Sequence, residues 1–294
     1  MTACRPPATA RAYPAPAKLN LMLKIIGRRT DGYHLLETVF TLIDLCDTVY
    51  LQTRDDGQIV LHNPQADVSP EQDLTVRAAR ALQNASGSLK GTDIWLDKVI
   101  PVGGGLGGGS SDAATVLLVL NHLWQCRLSR RRLMDIALTL GADVPFFVFG
   151  QNAFAQGVGE RLSALNLPPQ HYVVVHPPVH VSTAHIFQHP RLTRNSQSCI
   201  IHGLENNIPH QNDLQAVVTA EYQEVAAALD LLRQYGEAQM TGSGACVFLA
   251  TKTRHEAENI AQAVSGKYPS FCTSSLSRHP LYDLAVPDGE SSSG

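Results

Sequence analysis

Stretches of strand-like and helix-like spacing alternate along this chain. Residues 19–26 and 48–52 have the apolar density of strands, whereas residues 74–82 set their apolar side chains at helical intervals. Ile94, Trp95, Leu96, Val99 and Ile100 mark a strand over residues 92–100, which runs directly into PVGGGLGGGSSD at 101–112. Residues 113–124 are then apolar on nearly every face, the pattern of a buried helix. Ser110 or Ser111 is placed to cap that helix, and Asp112 suits its first turn. Further on, residues 172–175 and 246–250 predict buried strands and residues 221–233 a helix, giving a second α+β unit.

Proline punctuates both the start and the middle of the chain. Pro6, Pro7, Pro14 and Pro16 predict a loose arm over the first sixteen residues, and residues 290–294 read as a second tail. The run Leu167-Pro168-Pro169-Gln170 interrupts regular structure and divides the chain into an expected domain 1–166 and a second, 167–294. A length of 294 residues agrees with two domains.

Composition narrows the function classes. With 44% apolar and 17% charged residues the chain reads as an ordinary globular protein. The 23 basic and 26 acidic residues leave a net charge of −3, so no basic field exists to draw a nucleic-acid backbone. No apolar run approaches the roughly 18 residues of a membrane span, and the opening residues lack a signal-peptide core, so a cytoplasmic protein is expected. Six dispersed cysteines form no C-x-x-C pair and twelve histidines form no H-E-x-x-H, so reduced thiols and no dedicated metal site are expected. Nothing in the sequence sets an oligomeric state.

The chemistry concentrates in the glycine run. Six glycines within 103–109 expose backbone N–H groups without Cβ obstruction, and the following helix adds its free N-terminal donors. That combination suits a polyphosphate; the bland alternative is a surface loop, which its position between a strand and a buried helix disfavours. The run lacks the G-K-[ST] ending of a P-loop. Gly103, Gly105 and Gly108 match G-x-G-x-x-G, but no acid stands about twenty residues on, which leaves a dinucleotide-binding oxidoreductase as a minor alternative.

PVGGGLGGGSSDAA resembles the ATP loop of the GHMP kinases, the family of galactokinase and of homoserine, mevalonate and phosphomevalonate kinases. Pro16-Ala17-Lys18-Leu19-Asn20-Leu21 resembles its N-terminal motif, and MTGSGACVF at 240–248 its C-terminal glycine loop. The resemblance covers nearly the whole chain in order and spacing. It implies a two-domain α+β kinase, with an N-terminal mixed-sheet domain of the ribosomal S5 domain 2-like type and a ferredoxin-like C-terminal domain. The active site would lie between them.

ATP with Mg2+ would then bind along Lys98, Pro101, Val102, Gly103, Gly104, Gly105, Leu106, Gly107, Gly108, Gly109, Ser110 and Ser111. By the same resemblance Asp143 takes or orients the acceptor proton, Lys18 balances negative charge and Asn20 positions substrate. Gly242, Ser243 and Gly244 close around the phosphates. Taken locally, Lys18 is equally a strand-edge charge, Asp143 a turn or cap before Pro145, and Gly242–Gly244 a tight turn. Ser110 is the residue nearest the magnesium; Asp112 is read as a helix cap, so no protein ligand is assigned. Asp73 departs from the asparagine usual in the family, removing an amide donor on the adenine side.

Three further words, GRRTDGYH at 27–34, LGADVPFF at 140–147 and FAQGVGE at 154–160, resemble one branch of the family. That branch phosphorylates the 2-hydroxyl of a cytidine-diphosphate-linked methylerythritol in the non-mevalonate route to isoprenoid precursors. Tyr33 and His34 would hold the cytosine, with Phe187 completing the stack and Thr183 nearby. Tyr33-His34 alone is as well read as a loop pair closing over the core, and Phe187 as a core aromatic. A homoserine- or mevalonate-type kinase is the alternative.

Overall fold

The computed structural model describes residues 5–64, 68–199, 204 and 208–285. Two long strands, β1 (Arg11–Arg28) and β2 (His34–Arg54), pair antiparallel along almost their whole length. β3 (Ile59–Leu61) lies parallel to β4 (Gly91–Asp97), which pairs antiparallel with the C-terminal half of β2, while β5 (Ala153–Gly157) and β6 (Arg161–Ala164) extend its N-terminal half. The helices α1 (Leu74–Ser86), α2 (Gly108–Leu123), α3 (Arg130–Leu140) and α4 (Val144–Phe149) form one core with this mixed sheet. α2 is buried at every position from Ser111 to Asn121, as its all-round apolar pattern requires.

The C-terminal half builds an antiparallel sheet in the order β10 (Ser270–Leu276), β7 (His171–Val175), β9 (Val247–Thr251) and β8 (Ala238–Met240). α5 (Thr183–Gln188), α6 (Gln215–Glu221), α7 (Gln223–Arg233) and α8 (Arg254–Val264) complete this α+β half. The two sheets join where Ser275 and Leu276 of β10 pair with Ile43 and Leu42 of β2. The second core also takes in Leu23 and Ile25 from the far end of β1.

Three elements differ from the sequence reading. The loose arm expected through residue 16 is strand from Arg11 onward. Pro14 and Pro16 are accommodated because they sit two residues apart and so share one side of β1, where their carbonyls accept from Thr115 Oγ1 (3.3 Å) and Ser111 Oγ (2.7 Å) of α2. The strand predicted to reach Ile100 stops at Asp97, since Asp47 Oδ1 accepts the N–H groups of Val99 (2.6 Å) and Ile100 (2.8 Å) in place of a ladder partner. The helix expected over 221–233 is α7, which starts two residues late at Gln223, because Tyr222 at φ −117° and ψ 96° separates it from α6, which ends at Glu221. The tail at 290–294 lies outside the described residues. Among the described residues no helix is long and apolar enough to cross a membrane.

His279, just beyond β10, is buried, and its Nδ1 accepts from Leu281 N at 3.1 Å. Burial and the neighbouring Arg130 cation push its pKa down to about 3. The unfolded chain therefore binds this proton first as pH falls. The stability that this neutral ring contributes is full above about pH 6.5 and declines below it with a slope of up to about 1.4 kcal/mol per pH unit. In urea unfolding at pH 7 and pH 5, wild-type protein should lose about 2 kcal/mol more than His279→Asn does. Equal losses in the two proteins would exclude His279 as the titrating group.

Candidate active site

A cleft of about 920 Å³ brings together residues from the β1–β2 pair, the glycine loop, the start of α4, α5 and the loop after β8. Its floor is the loop 101–107. Gly107, in the left-handed region at φ 75°, precedes the first residue of α2, and the first helical bond is Ser111 N to Gly107 O at 2.9 Å. The N–H groups of Gly108, Gly109 and Ser110 therefore have no helical partner, which is the donor arrangement an anion needs. The helix is capped by Gly107 and by neither serine. Ser111 is buried with its hydroxyl donating to Pro16 O, whereas Ser110 lines the cleft.

The two glycine loops are stitched together. Ala245 N donates to Gly103 O (3.3 Å) and Cys246 N to Gly104 O (3.1 Å), while Lys18 N donates to Leu106 O (3.0 Å). A Cβ on Gly105 would stand 2.5 Å from Thr241 O and 2.9 Å from Gly244 O, so only glycine permits this approach. Gly103, Gly105, Gly107, Gly242, Ser243 and Gly244 line the cleft. Pro101, Val102, Gly104 and Leu106 shape the loop from behind or outside, Leu106 buried and Val102 exposed. Asn212 braces the second loop by donating to Met240 O (2.8 Å) and Gly242 O (2.9 Å).

At the centre Lys18 and Asp143, 125 positions apart in sequence, bring Nζ and Oδ2 to 3.6 Å. Lys18 and Asn20 are two residues apart on β1 and share a face, so Lys18 Nζ donates to Asn20 Oδ1 at 2.5 Å. Asn20 Nδ2 in turn donates to Thr38 Oγ1 (2.9 Å), whose hydroxyl donates to Met22 O (2.5 Å). The Lys18 side chain is 3% exposed, and its ammonium lies 5.3 Å from the Phe40 ring centre. Asp143 stands at the start of α4 but makes no side-chain cap bond, and at 39% exposure its carboxylate remains reachable from the cleft.

The other end of the cleft is aromatic. The His34 and Phe187 rings are 5.2 Å apart at 38°, and Tyr33 is 65% exposed beside them. Thr183 Oγ1 and Ser243 Oγ are 2.6 Å apart, tying α5 to the second glycine loop.

Lys98 stands apart from the residues that line this cleft. Its ammonium is held between the buried carboxylates of Asp47 and Asp112, the latter at 2.5 Å, and it does not line the cleft. Burial works against the Lys98 charge, but Asp112 and Asp47 outweigh it and the pKa rises. Burial pushes Asp112 up to about 7 against the pull of Lys98, with Asp47 adding to the rise. Asp112 is thus an ion-pair partner and caps nothing. Asp73, whose missing amide was expected to alter the adenine side, is the N-cap of α1 and accepts from Thr75 N at 2.8 Å. Asp47, Thr38 and Arg194 escaped the sequence reading, since each acts through a partner distant in sequence and none belongs to a motif.

This fold and cleft define a small-molecule kinase of the GHMP class: the family description "GHMP kinases N terminal domain" matches residues 73–151 and "GHMP kinases C terminal" residues 194–270. A homoserine kinase structure from Cytophaga hutchinsonii shares the fold at TM-score 0.66 and 18% identity, over 94% of this chain and 97% of that one. Among curated relatives, 4-diphosphocytidyl-2-C-methyl-D-erythritol kinase of Neisseria meningitidis serogroup C is 59% identical over 93% of this chain and 98% of its own. The kinase of the same name from Thiobacillus denitrificans is 55% identical over 95% and 100%. A crystal structure of 4-(cytidine 5'-diphospho)-2C-methyl-D-erythritol kinase superposes at TM-score 0.80 and 33% identity, covering 90% of this chain and 99% of that one. The chain belongs to the family of 4-diphosphocytidyl-2-C-methyl-D-erythritol kinases.

Proposed function

We propose that this protein transfers the γ-phosphoryl group of ATP to the 2-hydroxyl of 4-diphosphocytidyl-2-C-methyl-D-erythritol. The observation that carries the reading is that one cleft holds three things at once: free N–H donors at a glycine-cradled helix start, the Lys18–Asp143 pair and an aromatic pocket. Asp143 accepts the hydroxyl proton as that oxygen attacks the γ-phosphorus and the bond to the β-phosphate breaks, leaving ADP. Lys18 balances the charge that spreads over the transferring phosphoryl oxygens. Asn20 holds Lys18 in place. The loops at 103–107 and 242–244 enclose the phosphates, and Tyr33, His34 and Phe187 hold the cytosine, with Thr183 at its edge.

Magnesium would enter with ATP, with Ser110 the nearest side chain, and would supply positive charge to balance the phosphates. Among the described residues no group of three or more His, Cys, Asp or Glu is placed to hold a metal ion. The test is ADP formation by purified protein with MgATP and, separately, the cytidine substrate, homoserine and mevalonate, with the product identified by phosphorus NMR. Turnover of the cytidine substrate alone is expected. Turnover of homoserine or mevalonate at comparable kcat/KM would replace this reading by the alternative.

A further inference from the structure

Arg194 belongs to no motif, yet it joins the end of α5 to the start of β2. Its Nε–H donates to His34 Nε2 at 3.0 Å. Its two terminal nitrogens donate to the carbonyls of Leu192 (3.0 Å), Phe187 (3.1 Å) and His189 (2.9 Å). One guanidinium therefore fixes both the backbone that carries Phe187 and the ring that faces it at 5.2 Å.

The direction of the His34 bond has a chemical consequence. A guanidinium has donors only, so His34 Nε2 must accept, and an accepting nitrogen carries no proton. The neutral imidazole then holds its proton on Nδ1. Protonating the ring would break this bond and set two cations face to face. Burial, Arg194 and Arg28 lower the His34 pKa, in that order, so the neutral form prevails at neutral pH. The charged groups bearing on the ring are Arg194 and, from β1, Arg28; α5 faces it with Phe187. Among the described residues no hydrogen-bond partner meets His34 Nδ1, while the residue lines the cleft.

We infer that Arg194 is a positioning residue that holds His34 as a neutral Nδ1–H donor, so that the cleft selects a pyrimidine whose ring nitrogen accepts a hydrogen bond. Cytosine offers such an acceptor at N3, whereas uracil presents N3–H there, and two donors would oppose each other. The inference rests on the proposed role of Tyr33, His34 and Phe187 as the base pocket. It adds the residue that sets the polarity of that pocket.

Nitrogen-15 imidazole NMR on full-length protein reads the tautomer directly, with His34→Gln assigning the signal. Wild-type protein should show the Nδ1–H signature and a titration midpoint below the ordinary value of about 6.5. Arg194→Met should give mixed tautomers with the midpoint moving up toward that value. It should raise KM for the cytidine-linked substrate about tenfold with kcat within about twofold, and reduce the preference over the uridine-linked analogue about tenfold. Arg194→Lys, which keeps one donor, should fall between. An Nε2–H signature in wild-type protein overturns the inference, as does Arg194→Met with tautomer and base preference unchanged. If Arg194→Met does not fold, the wild-type and Arg194→Lys spectra decide by the same criteria. Absence of turnover in wild-type protein would count against the proposed activity, with the spectra still deciding the role of Arg194.

Discussion

Asp143→Asn should lower kcat by about 10²–10⁴-fold while ATP still binds, because the amide cannot accept the hydroxyl proton. The substitution preserves size and leaves Lys18 held by Asn20 at 2.5 Å, so the local backbone has no reason to move. Steady-state turnover combined with calorimetric ATP binding separates chemistry from affinity. Comparing Asp143→Asn with Asp143→Ala divides the role further. If the amide retains activity within about tenfold of wild type while alanine does not, Asp143 orients the hydroxyl and another route takes the proton. Lys18→Met should fall as far as Asp143→Asn: it removes the charge at 3.6 Å, and the two groups act as one unit whose losses do not add.

Lys98→Met should destabilise the protein by about 3–5 kcal/mol, the usual consequence of stranding a buried partner. Here two carboxylates are stranded, Asp47 wholly buried and Asp112 nearly so. Asp47 also accepts the Val99 and Ile100 N–H groups that set the entry to the glycine loop, so the loop should loosen with it. Asp112, already pushed up to about 7, can take a proton, and adding Asp112→Asn to Lys98→Met should restore part of the loss. Urea unfolding of the single and double variants measures both effects. A Lys98→Met protein within about 1 kcal/mol of wild type would mean that the cluster is solvated and adds little.

What could be read from the sequence was local. The strand, glycine loop and buried helix are legible because continuous apolar spacing and a glycine run state their geometry within some thirty positions. The GHMP motifs also put Lys18, Asn20 and Asp143 together, although nothing near Asp143 distinguishes it from a turn residue before Pro145. What escaped depends on partners far along the chain. Pro14 and Pro16 look like breakers until the hydroxyls of α2 cover their carbonyls. Ser111 looks like a cap until its hydroxyl is found on Pro16, and nothing beside Lys98 in sequence marks both Asp47 and Asp112 as its ion-pair partners. Arg194 and His34 lie 160 residues apart, and no spacing rule links them.

The far end of β1 has a consequence for synthesis. Leu23 and Ile25 leave the ribosome early, yet they complete a core whose other members come from the C-terminal half, and Leu23 N bonds Gln211 O at 2.8 Å. At translation rates of about 5–20 residues per second, those two side chains wait on the order of 10–40 s for their partners. β10, which joins the two sheets, arrives later still. Throughout that interval the nascent N-terminal half carries an uncovered apolar strand end, the kind of surface that holdase chaperones bind.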